Sequence, residues 1–270
     1  MDNQRYNENV ALLWSELVGP YRPSISELNV YTEICHNLQE NFKRKLDILI
    51  LGSTTEFRDW AYEENFNVTV IDANYEYYKE ISKYLKHKNI IKNENVVTCK
   101  WEEMNFNNEF DIVIGDLVLG TVEKSKIEIF IKKIHKSLRN HGVFLGKNYL
   151  IPNKYIKKSP EEIAKKYILT SSYYNPVFFM ISDLVLYSVD ENNMIDFKII
   201  YDELLKLKNK NVINNDILNK FKIIKLESRI NFKYNVPDQN KYETLIKNIL
   251  ILKILDMDLI FIPKIFHYIF

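Results

Sequence analysis

A regular alternation of apolar strands and amphipathic helices between residues 46 and 148 constrains the fold of this chain more than any other feature. The first predicted strand, LDILILG at 46–52, is apolar almost throughout, which is typical of a strand buried on both faces of a sheet. Strands that alternate with helices at this spacing form βαβ units, so the sequence predicts an α/β fold with a parallel sheet. The further strands are predicted at 67–72, 94–100, 110–116 and 143–148, and the helices between them include 74–86 and 123–139.

The segments on either side of residues 46–148 are predicted to be mainly helical. Residues 1–40 form a helical lead-in, in which Ser24 and Glu27 match the S-x-x-E pattern that begins a helix. Residues 149–240 are expected to be a helical insertion over the ligand edge of the sheet. Residues 241–270 are expected to supply a final helix and two strands, so that the whole chain forms one domain. Within the insertion, helices are predicted at 172–188, 196–208 and 214–230.

Composition and charge favour an ordinary soluble protein. Apolar residues make up 46% of the chain and charged residues 27%. The net charge of +1 lacks the basic excess of nucleic-acid-binding proteins, which disfavours nucleic acid as a partner. Cys35 and Cys99 lie far apart and without metal-ligand spacing, so we expect free thiols in the cytoplasm and no metal site. Charged residues and Pro263 interrupt the apolar stretch 249–270, so no membrane span is expected.

Polar residues follow the first two predicted strands, at the edge where parallel sheets bind ligands. Gly52 lets the backbone approach a ligand closely, and Ser53 and Thr54 lead into a helix whose first N–H groups are free. Asp72 ends the second strand, 20 residues after Gly52, where a carboxylate can bind a ribose diol. A turn glycine and a helix-capping aspartate are the structural alternatives for Gly52 and Asp72.

The third and fourth predicted strands place further side chains at the same edge. Trp101 and Glu102 follow the third strand, where an aromatic ring can lie against an adenine, although a packing role is the alternative for Trp101. Asp116 ends the fourth strand and is expected near the centre of the open edge. The order of these signals along one edge indicates an adenosine-containing cofactor.

Two cofactor classes fit such an edge, and the first turn separates them. A nicotinamide dinucleotide requires a G-x-G-x-x-G turn around its pyrophosphate, whereas this chain has G-S-T-T-E-F. The carboxylate of Glu56 would also repel a pyrophosphate. S-adenosylmethionine has no phosphate, so its turn does not need further glycines.

The motifs at these strand ends resemble those of class I S-adenosylmethionine-dependent methyltransferases. The segment 48–61, ILILGSTTEFRDWA, is similar to a variant of the family's first motif that reads Gly-x-Thr-Pro-Glu, with Thr55 in the proline position. The second, adenine-contacting and fourth motifs resemble VIDAN at 70–74, CKWEEM at 99–104 and DIVIGDLVLG at 111–120. The resemblance implies a Rossmann-like seven-stranded sheet, with helices before it and a helical insertion after the fifth strand.

The resemblance also implies which residues bind the cofactor S-adenosylmethionine, and which lie near the transferred methyl group. The segment WSELVGPYRPS at 14–24 resembles the lead-in of the same variant, and its Tyr21 and Arg22 are expected to reach cofactor or substrate. The implied cofactor contacts are Gly52, Ser53, Thr54, Asp72, Ala73, Asn74, Trp101, Glu102, Asp116 and Leu117.

The remaining candidates concern the acceptor. Asp116 is the predicted catalytic residue, because an acceptor with a proton needs a base. Lys147, at the end of the fifth strand, could bind a substrate carboxylate, with a solvated surface lysine as the alternative. The aromatic residues Tyr149, Tyr173 and Tyr174 of the insertion could line an acceptor pocket, with core packing as the alternative.

We therefore predict an enzyme of biosynthesis that transfers a methyl group from S-adenosylmethionine to a small-molecule or peptide acceptor, by O- or N-methylation. Three other functions stay open: an NAD(P)-dependent oxidoreductase, a non-catalytic module that keeps the fold, and a nucleic-acid methyltransferase. A basic surface around the open edge would favour the last of these.

Overall fold

A computed structural model describes residues 11, 14–17, 21–152, 156–169, 176–219, 221, 233–249, 253–255 and 265–269. Its central sheet consists of β1 (Asp47–Leu51), β2 (Asn67–Asp72), β3 (Asn95–Thr98), β4 (Phe110–Asp116), β5 (Leu138–Tyr149), β8 (Lys253–Leu255) and β9 (Ile265–Ile269). The order is β3-β2-β1-β4-β5-β9-β8, with β1 to β5 parallel and β9 antiparallel to both of its neighbours. The predicted α/β fold with a parallel central sheet of five strands is confirmed.

Helices connect the parallel strands and cover the sheet. The first begins at a capping box, as predicted: the N–H of Ser24 donates to Glu27 at 2.6 Å, and the N–H of Glu27 donates to the Ser24 hydroxyl at 3.3 Å. The α-helices include α1 (Ile25–Phe42), α2 (Thr55–Glu63), α3 (Tyr75–Ile81), α4 (Val118–Thr121), α5 (Ile127–Ser137), α6 (Pro160–Leu169), α7 (Pro176–Tyr187), α8 (Phe197–Asn209) and α9 (Gln239–Ile249), and residues 215–219 are also helical.

Some predicted element boundaries are wrong. The helix predicted at 74–86 ends as α3 at Ile81 and continues as a 3₁₀ turn, Ser82–Tyr84. The helix predicted at 123–139 ends as α5 at Ser137, because the chain from Leu138 already pairs with β4. β5 begins at Leu138, before the predicted start at residue 143, and a register irregularity and a positive φ of 66° at His141 interrupt its pairing with β4.

Both faces of the central sheet are buried, which explains the continuous apolar strands. Ile48 and Ile50 of β1 pack with residues of α1 and α2, such as Tyr31 and Trp60. Leu49 and Leu51 of the same strand pack on the opposite face with residues of α5. Successive strand residues point to opposite faces, so a strand covered by helices on both sides needs apolar residues at consecutive positions.

The segment after β5 has a hydrophobic core of its own. Helices α6, α7 and α8 supply most of it, and β6 (Met194–Asp196) pairs antiparallel with β7 (Lys233–Asn235) beside them. The sequence analysis did not predict this small sheet. Much of the helix predicted at 214–230 lies outside the described residues.

Strand order places the open crevice of the central sheet between β1 and β4. The chain runs outward from β1 to β2 and β3, then returns to the other side of β1 to form β4 and β5. At such a reversal, the loops after the two central strands diverge and leave a cleft beyond their carboxyl ends. The residues that follow β1 and β4 therefore lie at the cleft.

Candidate functional site

A cavity of about 470 Å³ lies at the carboxyl ends of the parallel strands. Its volume is within the range of small-molecule sites in proteins. The strand-end loops form one side of it, and residues of the segment after β5 form the other. All ten residues predicted to contact the cofactor are among its lining residues: Gly52, Ser53, Thr54, Asp72, Ala73, Asn74, Trp101, Glu102, Asp116 and Leu117.

The turn after β1 brings backbone close to this cavity. Gly52 has a φ of +87°, a conformation that side-chain-bearing residues rarely adopt, and its N–H donates to the carbonyl of Ile71 at 2.8 Å. Ser53 is buried, and α2 starts two residues later at Thr55. The indole N–H of Trp14 donates to the Thr55 hydroxyl at 2.7 Å, which fixes the N-terminal segment beside this turn.

Asp72 ends β2 with its carboxylate held from two sides. One oxygen accepts a hydrogen bond from the Ser53 hydroxyl at 2.6 Å, and the other accepts from the N–H of Asn74 at 2.9 Å. Burial raises the pKa of Asp72 above its ordinary value, although both hydrogen bonds oppose this shift. Two carboxylate oxygens have about four acceptor positions, so acceptor positions remain for a ligand.

The segment after β3 places an aromatic ring and a carboxylate at the cavity. The indole N–H of Trp101 donates to the carbonyl of Ile71 at 3.1 Å, and its ring stacks on Phe130 at a centroid distance of 5.9 Å. Trp101 therefore packs against its neighbours and also lines the cavity. Glu102 is mostly buried and pairs with Lys126 at 3.3 Å.

Asp116, at the end of β4, belongs to a buried charge cluster behind the cavity wall. Its Oδ1 lies 3.5 Å from the Nζ of Lys147, which lies 2.9 Å from a carboxylate oxygen of Glu27. Burial raises the pKa of Asp116 to about 7, despite the attraction of Lys147. Burial alone would lower the pKa of Lys147, but the carboxylates of Asp116 and Glu27 outweigh this effect and raise it. Asp116 thus combines a position at the cavity with a pKa suited to proton transfer near neutral pH.

The chain makes a sharp turn directly after Asp116. Leu117 has a φ of +54°, in the left-handed region, and its N–H donates to the carbonyl of Lys147 at 2.9 Å. The next residues form the short helix α4, whose Leu119 N–H donates to the side chain of Asn148 at 3.0 Å. Of residues 116–122, all except Val118 and Leu119 line the cavity.

Two predicted substrate residues do not face the cavity. Lys147, expected to bind a substrate carboxylate or to be solvated at the surface, is 1% exposed and pairs with Glu27 and Asp116 inside the protein. The guanidinium of Arg22 pairs with Glu56 of α2 and donates to the carbonyl of Trp14 at 2.8 Å. The surface alternative for Lys147 is therefore wrong. Internal carboxylates pair with both cations, and a role of Lys147 or Arg22 in substrate binding stays a prediction.

Of the four tyrosines predicted to bind the substrate, the structure describes two. Tyr21 and Tyr149 line the cavity with their ring centroids 6.4 Å apart, and the Tyr149 hydroxyl is hydrogen-bonded to Ser182 at 2.8 Å. Burial raises the pKa of both phenols above the ordinary value. Tyr173 and Tyr174 lie outside the described residues.

Several lining residues were missed by the sequence analysis. Those on the far side of the cavity come from segments more than sixty residues after Asp116 and follow no strand of the central sheet. Apart from Asn235, their only sequence signal is an apolar or aromatic character that core residues share. They are Val185, Ile195, Phe197, Tyr234, Asn235 and Val236.

No protein-family model and no curated protein sequence matches this chain. Solved structures do match it over nearly the whole length. A Rhodobacter sphaeroides protein, provisionally described as a Zn-dependent alcohol dehydrogenase, has a TM-score of 0.53 and 14% identity, and 97% of each chain is covered. A Methanococcus maripaludis protein, provisionally described as an S-adenosylmethionine-dependent methyltransferase, has a TM-score of 0.51 and 10% identity, with 100% of this chain and 94% of the other covered.

A third structure, the PH0226 protein of Pyrococcus horikoshii OT3, has a TM-score of 0.51 and 12% identity, with 95% of this chain and 96% of the other covered. Among the described residues, no helix combines the length and the apolar character that a bilayer crossing requires. At identities of 10–14%, these structural likenesses show a shared fold, and they do not show a shared activity. The comparisons thus show an α/β Rossmann-like fold with a parallel central sheet.

Proposed function

We propose that this protein transfers a methyl group from S-adenosylmethionine to a small-molecule or peptide acceptor, by O- or N-methylation. The observation that carries the proposal is the charge of the cavity wall at the strand ends. Its charged lining residues are four carboxylates and one lysine: Asp72, Glu102, Glu103, Asp116 and Lys100. Lys126, Lys100 and Lys147 pair with Glu102, Glu103 and Asp116, so the negative charge at the cavity surface is reduced but stays at Asp72. Such a wall suits a cationic sulfonium better than a pyrophosphate.

The carboxylates of the cavity wall, and not Glu56, distinguish this site from a pyrophosphate site. Glu56 was expected to repel a pyrophosphate, but its carboxylate is paired with Arg22 and does not line the cavity. The strand-end carboxylates, with Gly52 as the turn's single glycine, carry the distinction from a dinucleotide site.

The residues present fit a nucleoside without phosphates. In the proposed complex the Asp72 carboxylate accepts hydrogen bonds from the two ribose hydroxyls, beside Ala73 and Asn74. Trp101 and Glu102 flank the adenine, and the turn at Gly52, Ser53 and Thr54 holds the amino acid portion. Asp116 and Leu117 lie nearest the reacting end. The bound sulfonium supplies the activated methyl group.

Methyl transfer is an in-line displacement, so the protein acts mainly by orienting the acceptor and excluding water. In this proposal the Asp116 carboxylate accepts the proton that the acceptor loses, since its raised pKa of about 7 allows it to take up a proton near neutral pH. The segment from residue 149 to residue 240 covers the reacting end in this proposal. The chain then acts as one domain, with residues 1–40 as its lead-in.

Isothermal titration calorimetry with S-adenosylmethionine and with NADH tests the proposal. We expect binding of S-adenosylmethionine and no measurable binding of NADH. Binding of NADH alone would refute the proposal and favour an NAD(P)-dependent oxidoreductase. Binding of neither compound would favour a non-catalytic module.

A further inference from the structure

The side of the cavity away from the strand ends is uncharged. Among the described residues, its lining consists of Tyr149 at the end of β5 and, from the segment after β5, of Val185, Ile195, Phe197, Tyr234, Asn235 and Val236. The rings of Phe197 and Tyr234 meet edge to face at a centroid distance of 5.2 Å. We call this side of the cavity the apolar chamber. An ion placed there would lose its hydration without meeting an opposite charge, which is costly.

Asn235 is the polar exception in the chamber wall. It is 4% exposed, and within the described part of the chain neither its amide oxygen nor its amide nitrogen has a hydrogen-bond partner. Buried polar groups in native proteins are nearly always paired, and each unpaired group costs about 1–3 kcal/mol. Both amide atoms have almost no exposed surface, so a ligand in the cavity reaches them once the Asn235 side chain rotates, and it then supplies the missing donor and acceptor.

The backbone of Asn235 lies beside the proposed reaction site. Asn235 ends β7 and pairs with Met194 of β6. Its backbone carbonyl lies 3.5 Å from the point where a Cβ on Gly120 would stand. Gly120 belongs to α4, which follows Asp116 by two residues and lines the same cavity. One cavity thus joins the chamber to the predicted catalytic residue.

We propose that the apolar chamber binds the methyl acceptor, and that the acceptor is a neutral, largely apolar small molecule. Its one recognised polar group both donates and accepts hydrogen bonds, as a carboxamide does, and pairs with the Asn235 amide. This inference rests on the proposed methyl transfer and narrows its acceptor. Charged peptides and nucleic acid are excluded by the same uncharged wall.

Three probes with one ring system test the charge and the hydrogen bonding together: 2-naphthamide, 2-naphthoate and 2-naphthylmethylammonium. Each is titrated calorimetrically into the full chain saturated with S-adenosylhomocysteine. We expect 2-naphthamide to bind about tenfold more tightly than either ion, a difference that corresponds to about 1.4 kcal/mol.

Substitution of Asn235 by Leu should weaken 2-naphthamide binding about tenfold, because both amide hydrogen bonds are lost. The affinity for S-adenosylmethionine should stay unchanged, since Asn235 is not among the ten residues predicted to contact the cofactor. Asn240→Leu, on the exposed side of α9, is the matched control and should change neither affinity.

The outcomes separate this inference from the proposed function. Wild-type protein that binds S-adenosylmethionine but does not prefer 2-naphthamide would overturn the acceptor inference alone. Asn235-dependent binding of 2-naphthamide without S-adenosylmethionine binding would overturn the proposed function and the assignment of the chamber to an acceptor. If Asn235→Leu fails to fold, the near-isosteric variant Asn235→Asp is measured instead. That variant should favour 2-naphthylmethylammonium, and an unchanged preference would contradict the inference.

Discussion

Replacement of Asp72 by Asn separates a ligand-binding carboxylate from a structural one. The Asn side chain can keep both local contacts: its oxygen can accept from the N–H of Asn74, and its amide can donate to the Ser53 hydroxyl, which also accepts. Burial raises the pKa of Asp72, so folding disfavours the charged carboxylate at neutral pH. The neutral amide should therefore not lower the free energy of unfolding.

The effect on S-adenosylmethionine affinity should be large. The Ser53 hydroxyl and the N–H groups of Asn74 and Ala73 donate to the carboxylate, so at least one of its about four acceptor positions is left for the ribose hydroxyls. The amide has fewer acceptor positions and no charge. Hydrogen bonds to charged groups contribute about 1.5–3 kcal/mol each, so we expect a loss of about 2–4 kcal/mol. This corresponds to a Kd raised about 30- to 700-fold.

Calorimetric titration of S-adenosylmethionine, with urea unfolding of the same samples, measures both quantities. Asp216→Asn, at an exposed position, is the matched control and should leave both unchanged. A Kd within twofold of wild type for Asp72→Asn would refute the ribose assignment. A large loss of unfolding free energy would instead indicate a structural carboxylate.

Three further substitutions test the charges and the packing around the site. Asp116→Asn should lower kcat about 10²- to 10⁴-fold and remove the rise in rate through pH 7, because only the ionised carboxylate accepts a proton; an unchanged pH profile would exclude Asp116 as the base. Glu94→Gln should lower the free energy of unfolding by about 3–5 kcal/mol in urea titration, since it leaves the fully buried Arg58 without its charge partner. Gly146→Ala should cost at least about 1–3 kcal/mol by the same measurement, because the new Cβ would stand 2.6 Å from the carbonyl oxygen of Gly115.

Sequence patterns predicted the parallel part of the fold well, because they depend on neighbours close in the chain. β2 and β4 begin and end where alternation and apolar runs placed them. The ten predicted cofactor residues line one cavity for a similar reason: parallel strands bring their carboxyl ends to one edge, whatever their separation along the chain.

Sequence patterns did not predict the surroundings of individual side chains where distant partners decide the outcome. Lys147 is buried because Glu27, 120 residues away, approaches it from α1, and no local pattern contains that pairing. Arg22 is occupied by Glu56 in the same way. No sequence pattern singled out Asn235, and the packing of β7 against α4 brings it to the cavity.

A crystal structure of the full chain with S-adenosylhomocysteine tests the central claim most directly. We predict that both ribose hydroxyls lie within hydrogen-bond distance of the Asp72 carboxylate. The adenine should lie beside Trp101, and the sulfur should point toward Asp116 and the apolar chamber. A nucleoside bound anywhere else, or a cavity closed by the chain's own side chains, would contradict the account.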